Sequence, residues 1–258
     1  MKILLWESKM SAEDLAFSPV DKRNKTAWDY ITERCRRRFE AMGIPRKVLE
    51  DPKMQKAWSR AVFAAGGVPY MWDLAVDFKR LMYDSLVLRR GDKVLLIGEW
   101  IEECGFTAEV KKRIGNEGEL VAHEILEIFE KGVSQWRWDY ADKYPDEHFD
   151  AVFCPQNIHH HSDWKVGAKD LTRVLKKDGR VVIAEMTLGG PGFRAAIHSD
   201  IHIYAIMKKI FYGMGASDIF EGKLYYGFDT IMEAFTPYLK DIHTFEWKGA
   251  LLFYGTRK

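Results

Sequence analysis

Cysteine is scarce: the 258 residues hold three, Cys35, Cys104 and Cys154, with no Cys-x-x-Cys pair. An odd, widely spaced set argues against a disulfide framework and a thiolate zinc site, and makes a reducing cytoplasm the expected compartment. Long apolar runs are missing too. None approaches the ~18–20 residues that cross a bilayer, and the opening MKILLWESKMSAEDL turns acidic too soon to read as a secretion signal. Nor is there an excess of charge of either sign, since 39 Lys and Arg face 38 Asp and Glu for a formal charge of +1. Nucleic-acid binders normally concentrate a basic surplus on one face, so that class is not expected. Tandem repeats, low-complexity tracts and Gly/Ser linkers are absent as well. What is present is 47% hydrophobic and 30% charged, enough apolar material for a sizeable core and too much for disorder. A chain of this length fits one large domain, or a domain with an added lid.

Residues 26–42, 52–65 and 70–86 place apolar side chains three and four apart, punctuated by Pro45, Pro52 and Pro69, and this spacing predicts helices. Arg34, Arg36, Arg37 and Arg38 cluster on the first of them. With Glu33 and Glu40 beside them they read as a solvated face rather than a phosphate patch. From Gly91 the texture changes. Short runs rich in Val, Ile and Leu appear at residues 93–97 (KVLLI), 119–123 (ELVAH), 149–154 (FDAVFC) and 179–184 (GRVVIA). Charged amphipathic stretches at residues 107–114 and 169–175 lie between them. Continuous apolar strands alternating with helices imply a parallel sheet covered on both faces. Gly91-Asp92 and Asp178-Gly179 supply turns into two of the strands. After Glu185 comes a Gly/Pro-rich hinge at residues 188–193, then a helical segment to about Tyr212. Alternating residues at 242–247 and 251–256, with a short connection, predict an antiparallel hairpin at the sheet edge. The expected fold class is therefore α/β, with a doubly wound, mostly parallel, Rossmann-like sheet and a terminal antiparallel hairpin. The expected organisation is a helical N-terminal cap (residues 1–87) and a main domain (residues 88–258) carrying a lid insertion at about residues 188–240.

From Lys93 onward this order of elements resembles a class I S-adenosylmethionine-dependent methyltransferase, closest to the ubiquinone/menaquinone-biosynthesis type. The resemblance is good over residues 88–187 and loose over the terminal hairpin. It is carried by KVLLIG, the turn RIGNEGE, the strand ending in Glu124, FDAV, the run Ile158-His159-His160-His161-Ser162-Asp163, and LTRVLKKDG leading to Glu185. The resemblance implies S-adenosylmethionine as cofactor. Glu124 would accept from the ribose hydroxyls and Asp139 from the adenine amino group, with Trp138 and Tyr140 flanking the purine. The family's turn Asp-x-Gly-x-Gly-x-Gly is degenerate here and reads Gly98-Glu99-Trp100-Ile101-Glu102-Glu103-Cys104-Gly105. Only Gly98 and Gly105 are kept, where the resemblance implies that glycine lets backbone approach the cofactor without a Cβ in the way. Glu99 and its neighbours set carboxylates against the cofactor's own carboxylate, where unrelieved like charges cost about 1–4 kcal/mol, although a sulfonium and an α-ammonium favour them.

Three consecutive histidines invite a metal reading, but neighbours on an extended loop diverge, and no metal is expected. His159, His160 and His161 are instead candidates for a general base with a pKa near neutral. His198 and His202 stand four apart on the helix after the hinge, which puts both rings on one face and makes them acid/base candidates. The aromatic residues Tyr204, Phe211, Tyr212, Tyr225, Tyr226, Phe228, Phe235 and Tyr238 crowd the insert. Most of these rings belong to a core, and the remainder suit a hydrophobic or aromatic small-molecule substrate. Two alternatives stay open from the residues alone. One is a lyase, isomerase or hydrolase on the same scaffold, with or without a metal. The other is a binding or regulatory subunit. An oligomer is equally compatible.

Overall fold

The computed structural model describes residues 36–37, 40, 43–55, 76–98, 101–102, 104–124, 143–155, 157–158, 163–186, 194, 197–198, 201–213, 217–221, 227–247 and 250–258. Its described elements are α1 (Arg46–Leu49), α2 (Val76–Leu86), β1 (Lys93–Gly98), α3 (Phe106–Ile114), β2 (Glu119–Glu124), β3 (Phe149–Pro155), α4 (Trp164–Val174), β4 (Leu175–Met186), α5 (Ile201–Gly213), α6 (Ser217–Phe220), α7 (Phe228–Phe235), β5 (Leu239–Trp247) and β6 (Ala250–Arg257). The strands form one six-stranded sheet in the order β2-β1-β3-β4-β6-β5. Pairing is parallel from β2 through β4 and antiparallel for β4 with β6 and β6 with β5. This is the α/β architecture expected from the apolar runs, hairpin included.

Hydrophobicity explains why the centre holds. β1 is buried at every position after Lys93, and β3 at all but Asp150. Strands without a solvent face must be covered on both sides. Part of that cover is α2, which packs against β3, β4 and β6. Tyr83 of α2 meets Phe106 of α3 and Phe153 of β3 edge to face, and the Phe106 and Phe153 rings are 5.2 Å apart. β4 differs from expectation. The strand begins at Leu175, paired with Phe149, rather than at Gly179. Asp178 holds a φ of 62°, and the register shifts there, so the expected turn survives as a bulge inside a longer strand.

At the amino edge of the sheet, Asp150 joins three strands. Its Oδ2 accepts the Lys93 N–H at 2.9 Å and its Oδ1 accepts from Lys176 Nζ at 2.7 Å. Burial pushes this carboxyl up, yet the Lys176 ammonium and the Lys93 N–H outweigh it and hold the group below its ordinary value. A carboxyl depressed on folding contributes stability that is present above its unfolded pKa and lost as pH falls through the folded one. Asp150→Asn should therefore cost about 1–3 kcal/mol at neutral pH. In denaturation experiments the gap to wild type should narrow below about pH 4. A gap of undiminished size at pH 3 would contradict this account.

Val87 follows α2 with a φ of 52° and is 48% exposed. Helices usually end on glycine in this left-handed position, because a Cβ costs about 1–2 kcal/mol there. Val87 has little burial to lose. Val87→Gly should accordingly stabilise by about 0.5–1 kcal/mol net of the glycine's extra unfolded-state entropy. Urea unfolding reads this directly, as a higher midpoint at unchanged slope.

Candidate functional site

In an open parallel sheet the ligand crevice lies beyond the carboxyl ends of the strands, where the strand order reverses. Here that point is between β1 and β3, since the chain goes from β1 outward to β2 and returns to the other side of β1 for β3. Gly98 and Glu124 end β1 and β2 side by side, paired in register. Glu124 is buried, 7% exposed, and its Oε2 accepts the Ile101 N–H at 3.0 Å.

The two outer glycines of the bend serve different physical ends. A Cβ on Gly98 would stand 2.4 Å from the Pro155 carbonyl oxygen and 2.8 Å from its ring. Gly98 thus lets β1 and β3 close on each other at the crevice. Gly105 has a φ of 73°, and a Cβ added there would meet nothing within 4 Å, so backbone conformation alone calls for glycine. The bend is folded back on itself. Gly105 N–H donates to the Glu102 carbonyl at 3.0 Å and Phe106 N–H to the Ile101 carbonyl at 2.9 Å. Ile101 is buried beneath it and Glu102 faces solvent. Glu99, Trp100 and Glu103 lie outside the described residues, as do Trp138, Asp139 and Tyr140.

At the carboxyl ends of β3 and β4 the same edge holds buried polar residues. Cys154, Asn157 and Glu185 are each 0% exposed. Burial pushes the Cys154 thiol well up, and the Glu185 carboxyl adds to the effect, which leaves the thiol protonated and unreactive. The Asn157 side chain hydrogen-bonds that thiol and offsets part of the rise. Thr107 Oγ1, in the first turn of α3, is buried without a hydrogen-bond partner. Sequence reasoning missed Asn157. The available signal was a polar residue placed directly after the apolar run FDAVFCP, at the end of a strand where ligands bind.

The histidines divide. His159, His160 and His161 fall outside the described residues. His198 is helical and exposed, its ring 4.9 Å from that of Tyr204, which in turn sits 5.1 Å from Phe220. His202 belongs to α5, and its side chain is outside the described residues. His123 packs at the sheet, its Nε2 3.0 Å from the Tyr144 hydroxyl. Among the described residues no group of three His, Cys, Asp or Glu is arranged to hold a metal ion, and no helix is long and apolar enough to cross a membrane. A cleft of about 440 Å³ opens at the opposite, amino edge, between Arg89, Asp150, Lys177, Asp178, Arg180 and Lys240. Its rim is built of ion pairs such as Lys176–Asp150 and Lys240–Asp178, far along the strands from Glu124.

The family model described as a methyltransferase domain matches residues 120–183, from β2 through most of β4. The uncharacterized methyltransferase YcgJ of Bacillus subtilis is 30% identical over 113 residues, which are 41% of this chain and 45% of that protein. An uncharacterized methyltransferase of Schizosaccharomyces pombe is 36% identical over 52 residues, 20% of this chain and 18% of its own. The chain thus spans less than half the length of these two curated relatives. Among solved structures, a SAM-dependent methyltransferase from Aquifex aeolicus is similar at 14% identity and a TM-score of 0.39, over 83% of this chain and 99% of that one. The segment similar to a methyltransferase domain thus takes in β2 with Glu124 at its end, β3, and Asn157 just beyond β3.

Proposed function

We propose that this protein methylates a hydrophobic or aromatic small molecule with S-adenosylmethionine as donor. The observation that carries the reading is the buried Glu124 carboxylate beside Gly98 at the strand-order reversal, an acceptor suited to a ribose diol. When bound, the donor supplies an electrophilic methyl group on a sulfonium. Gly98, Gly105 and Glu124 would hold the nucleoside side, and Asp139, with Trp138 and Tyr140, would hold the base. Glu99 of the acidic bend would answer the cationic end by charge. Catalysis by such a site is chiefly positioning, because an aligned pair of reactants needs little further chemistry from the protein. A histidine of the 159–161 tract, which follows β3 directly in the chain, takes the acceptor's proton, with His198 and His202 as the second candidate pair.

The acceptor's class rests on aromatic supply. Tyr204, Phe220 and Tyr212 form a connected cluster in the segment between β4 and β5, with Tyr212 43% exposed. That segment reaches the N-terminal region, since Lys209 Nζ donates to the Gly43 carbonyl at 3.0 Å. In this reading the cap (residues 1–87) and the lid insertion (about residues 188–240) together cover the acceptor. Calorimetric titration with S-adenosylmethionine and S-adenosylhomocysteine tests the reading. Saturable one-to-one binding of both is expected. Absence of heat at high micromolar ligand removes methyl transfer from this donor.

A further inference from the structure

At the amino edge, the strand register puts three polar side chains in one row. Arg180 of β4 pairs with Thr256 of β6, and Thr256 with Lys240 of β5. Residues directly opposite in antiparallel strands share a sheet face, and two strand spacings put Arg180 and Lys240 about 10 Å apart. The row lines the cleft of about 440 Å³, together with Leu86 at the end of α2. Small-molecule sites commonly enclose about 300–1,000 Å³, so the cleft has room for more than a single ion. We propose that it is a second binding site, for the phosphate group of a small molecule, with the Arg180 guanidinium as the principal contact.

The charge arrangement carries the argument. Five cationic side chains line the cleft against four carboxylates, and every carboxylate is engaged within the protein. Asp150 accepts from Lys176 Nζ at 2.7 Å and from the Lys93 N–H at 2.9 Å. Asp178 accepts from Lys240 Nζ at 2.5 Å. Asp92 accepts the Arg89 N–H at 2.7 Å, and Asp241 acts on the Lys240 ammonium. Arg180, by contrast, has no ion pair among the described residues, although its side chain is half-buried. A charge partly withdrawn from water gains most from an opposite charge brought beside it. Exposed Lys177 and Arg89 line the same cleft and add to the positive field. A guanidinium fork fits a carboxylate or a phosphate in two parallel bonds. The cationic surplus favours the phosphate, which brings a charge of about −1.5 to −2 at neutral pH. The Thr256 hydroxyl, beside Arg180 in the row, supplies a neutral donor. β1 runs six residues from this edge to Gly98, about 20 Å, so the site stands apart from the donor crevice and does not depend on that reading.

Calorimetric titration with inorganic pyrophosphate, at a fixed and low ionic strength so that screening does not mask the contact, tests the site. Saturable binding by the wild type is expected. Arg180→Gln should weaken it about tenfold or more, the scale of a hydrogen bond to a charged group. Lys177→Glu changes an exposed residue and should weaken it about fivefold with the melting temperature held. In amide NMR spectra the Gly179 and Thr256 signals should move on titration while those of Gly98 and Glu124 stay in place. Wild-type protein that does not saturate at millimolar pyrophosphate overturns the proposal. So does unchanged affinity in both variants, whether or not Arg180→Gln melts lower, since the guanidinium is then structural. Should Arg180→Gln fail to fold, Lys177→Glu decides alone, and wild-type affinity in it overturns the site. Movement of Gly98 and Glu124 in place of Gly179 puts the anion at the other edge and is equally fatal. Acetate that saturates at the same concentrations as pyrophosphate overturns the choice of phosphate.

Discussion

Glu124→Ala is expected to weaken S-adenosylhomocysteine binding about 100-fold and to destabilise the ligand-free protein by about 1–3 kcal/mol. Both effects come from one carboxylate with two duties. Its Oε2 accepts the Ile101 N–H at 3.0 Å in a buried setting, and this bond closes the bend over the end of β1. Remove the acceptor and a backbone donor is left buried and unpaired. In the donor reading a ribose diol would engage the same carboxylate, and charge-assisted bonds of that kind are the stronger sort. Glu124→Gln separates the duties. Its amide oxygen can still accept from Ile101, so most of the stability should return, while the loss of charge and of one acceptor should keep ligand affinity about tenfold down. Calorimetry and thermal unfolding on the two variants measure both quantities. Unchanged affinity in Glu124→Ala would mean that the nucleoside docks elsewhere on the edge.

Much of this architecture can be read from hydrophobic patterning, because strands buried on both faces leave almost no freedom in composition. KVLLIG, FDAVFCP and the run ending in Glu185 have to be interior, and interior parallel strands need covering helices. The places of Gly98 and Glu124 at strand ends were legible for a similar reason, since both close an apolar run. Their partners were not. The contact of Ile101 with Glu124 spans 23 positions, and nothing local to either residue announces it. The start of β4 illustrates the same limit. Asp178 and Gly179 look like a turn by composition, but Leu175 is captured by Phe149 across the sheet, and the chain absorbs the conflict as a left-handed Asp178. Asn157 is harder still. Its type and place were visible, but a cost of burial exists only once the surrounding core is assembled. By its motif Gly98 spares a cofactor from a Cβ, whereas in the structure its nearest neighbours are Pro155 and Ile101.

Those neighbours make Gly98→Ala costly. It inserts a methyl group 2.4 Å from a backbone oxygen of β3, 2.8 Å from the Pro155 ring and 3.0 Å from Ile101 Cγ2. A flexible side chain could swing aside, but a carbonyl and a proline ring at a strand end cannot. Relief has to come from parting β1 and β3 at the crevice. Overpacking of this kind costs about 1–3 kcal/mol and sometimes more. For a domain of this size that is a fall in melting temperature on the order of 5–10 °C. Ligand affinity should drop with it, because the separating ends are the ones that carry the site. Gly105→Ala is the internal comparison. It has open space around the added atom and pays only for a left-handed φ of 73°, about 1–2 kcal/mol. Gly105→Asn should recover part of that loss, since asparagine tolerates the left-handed region, whereas Gly98→Asn should be worse than Gly98→Ala. Ranking the four variants by thermal unfolding separates a conformational demand from a steric one. If Asn rescues both positions alike, the β1–β3 contact is looser than the packing at Pro155 indicates.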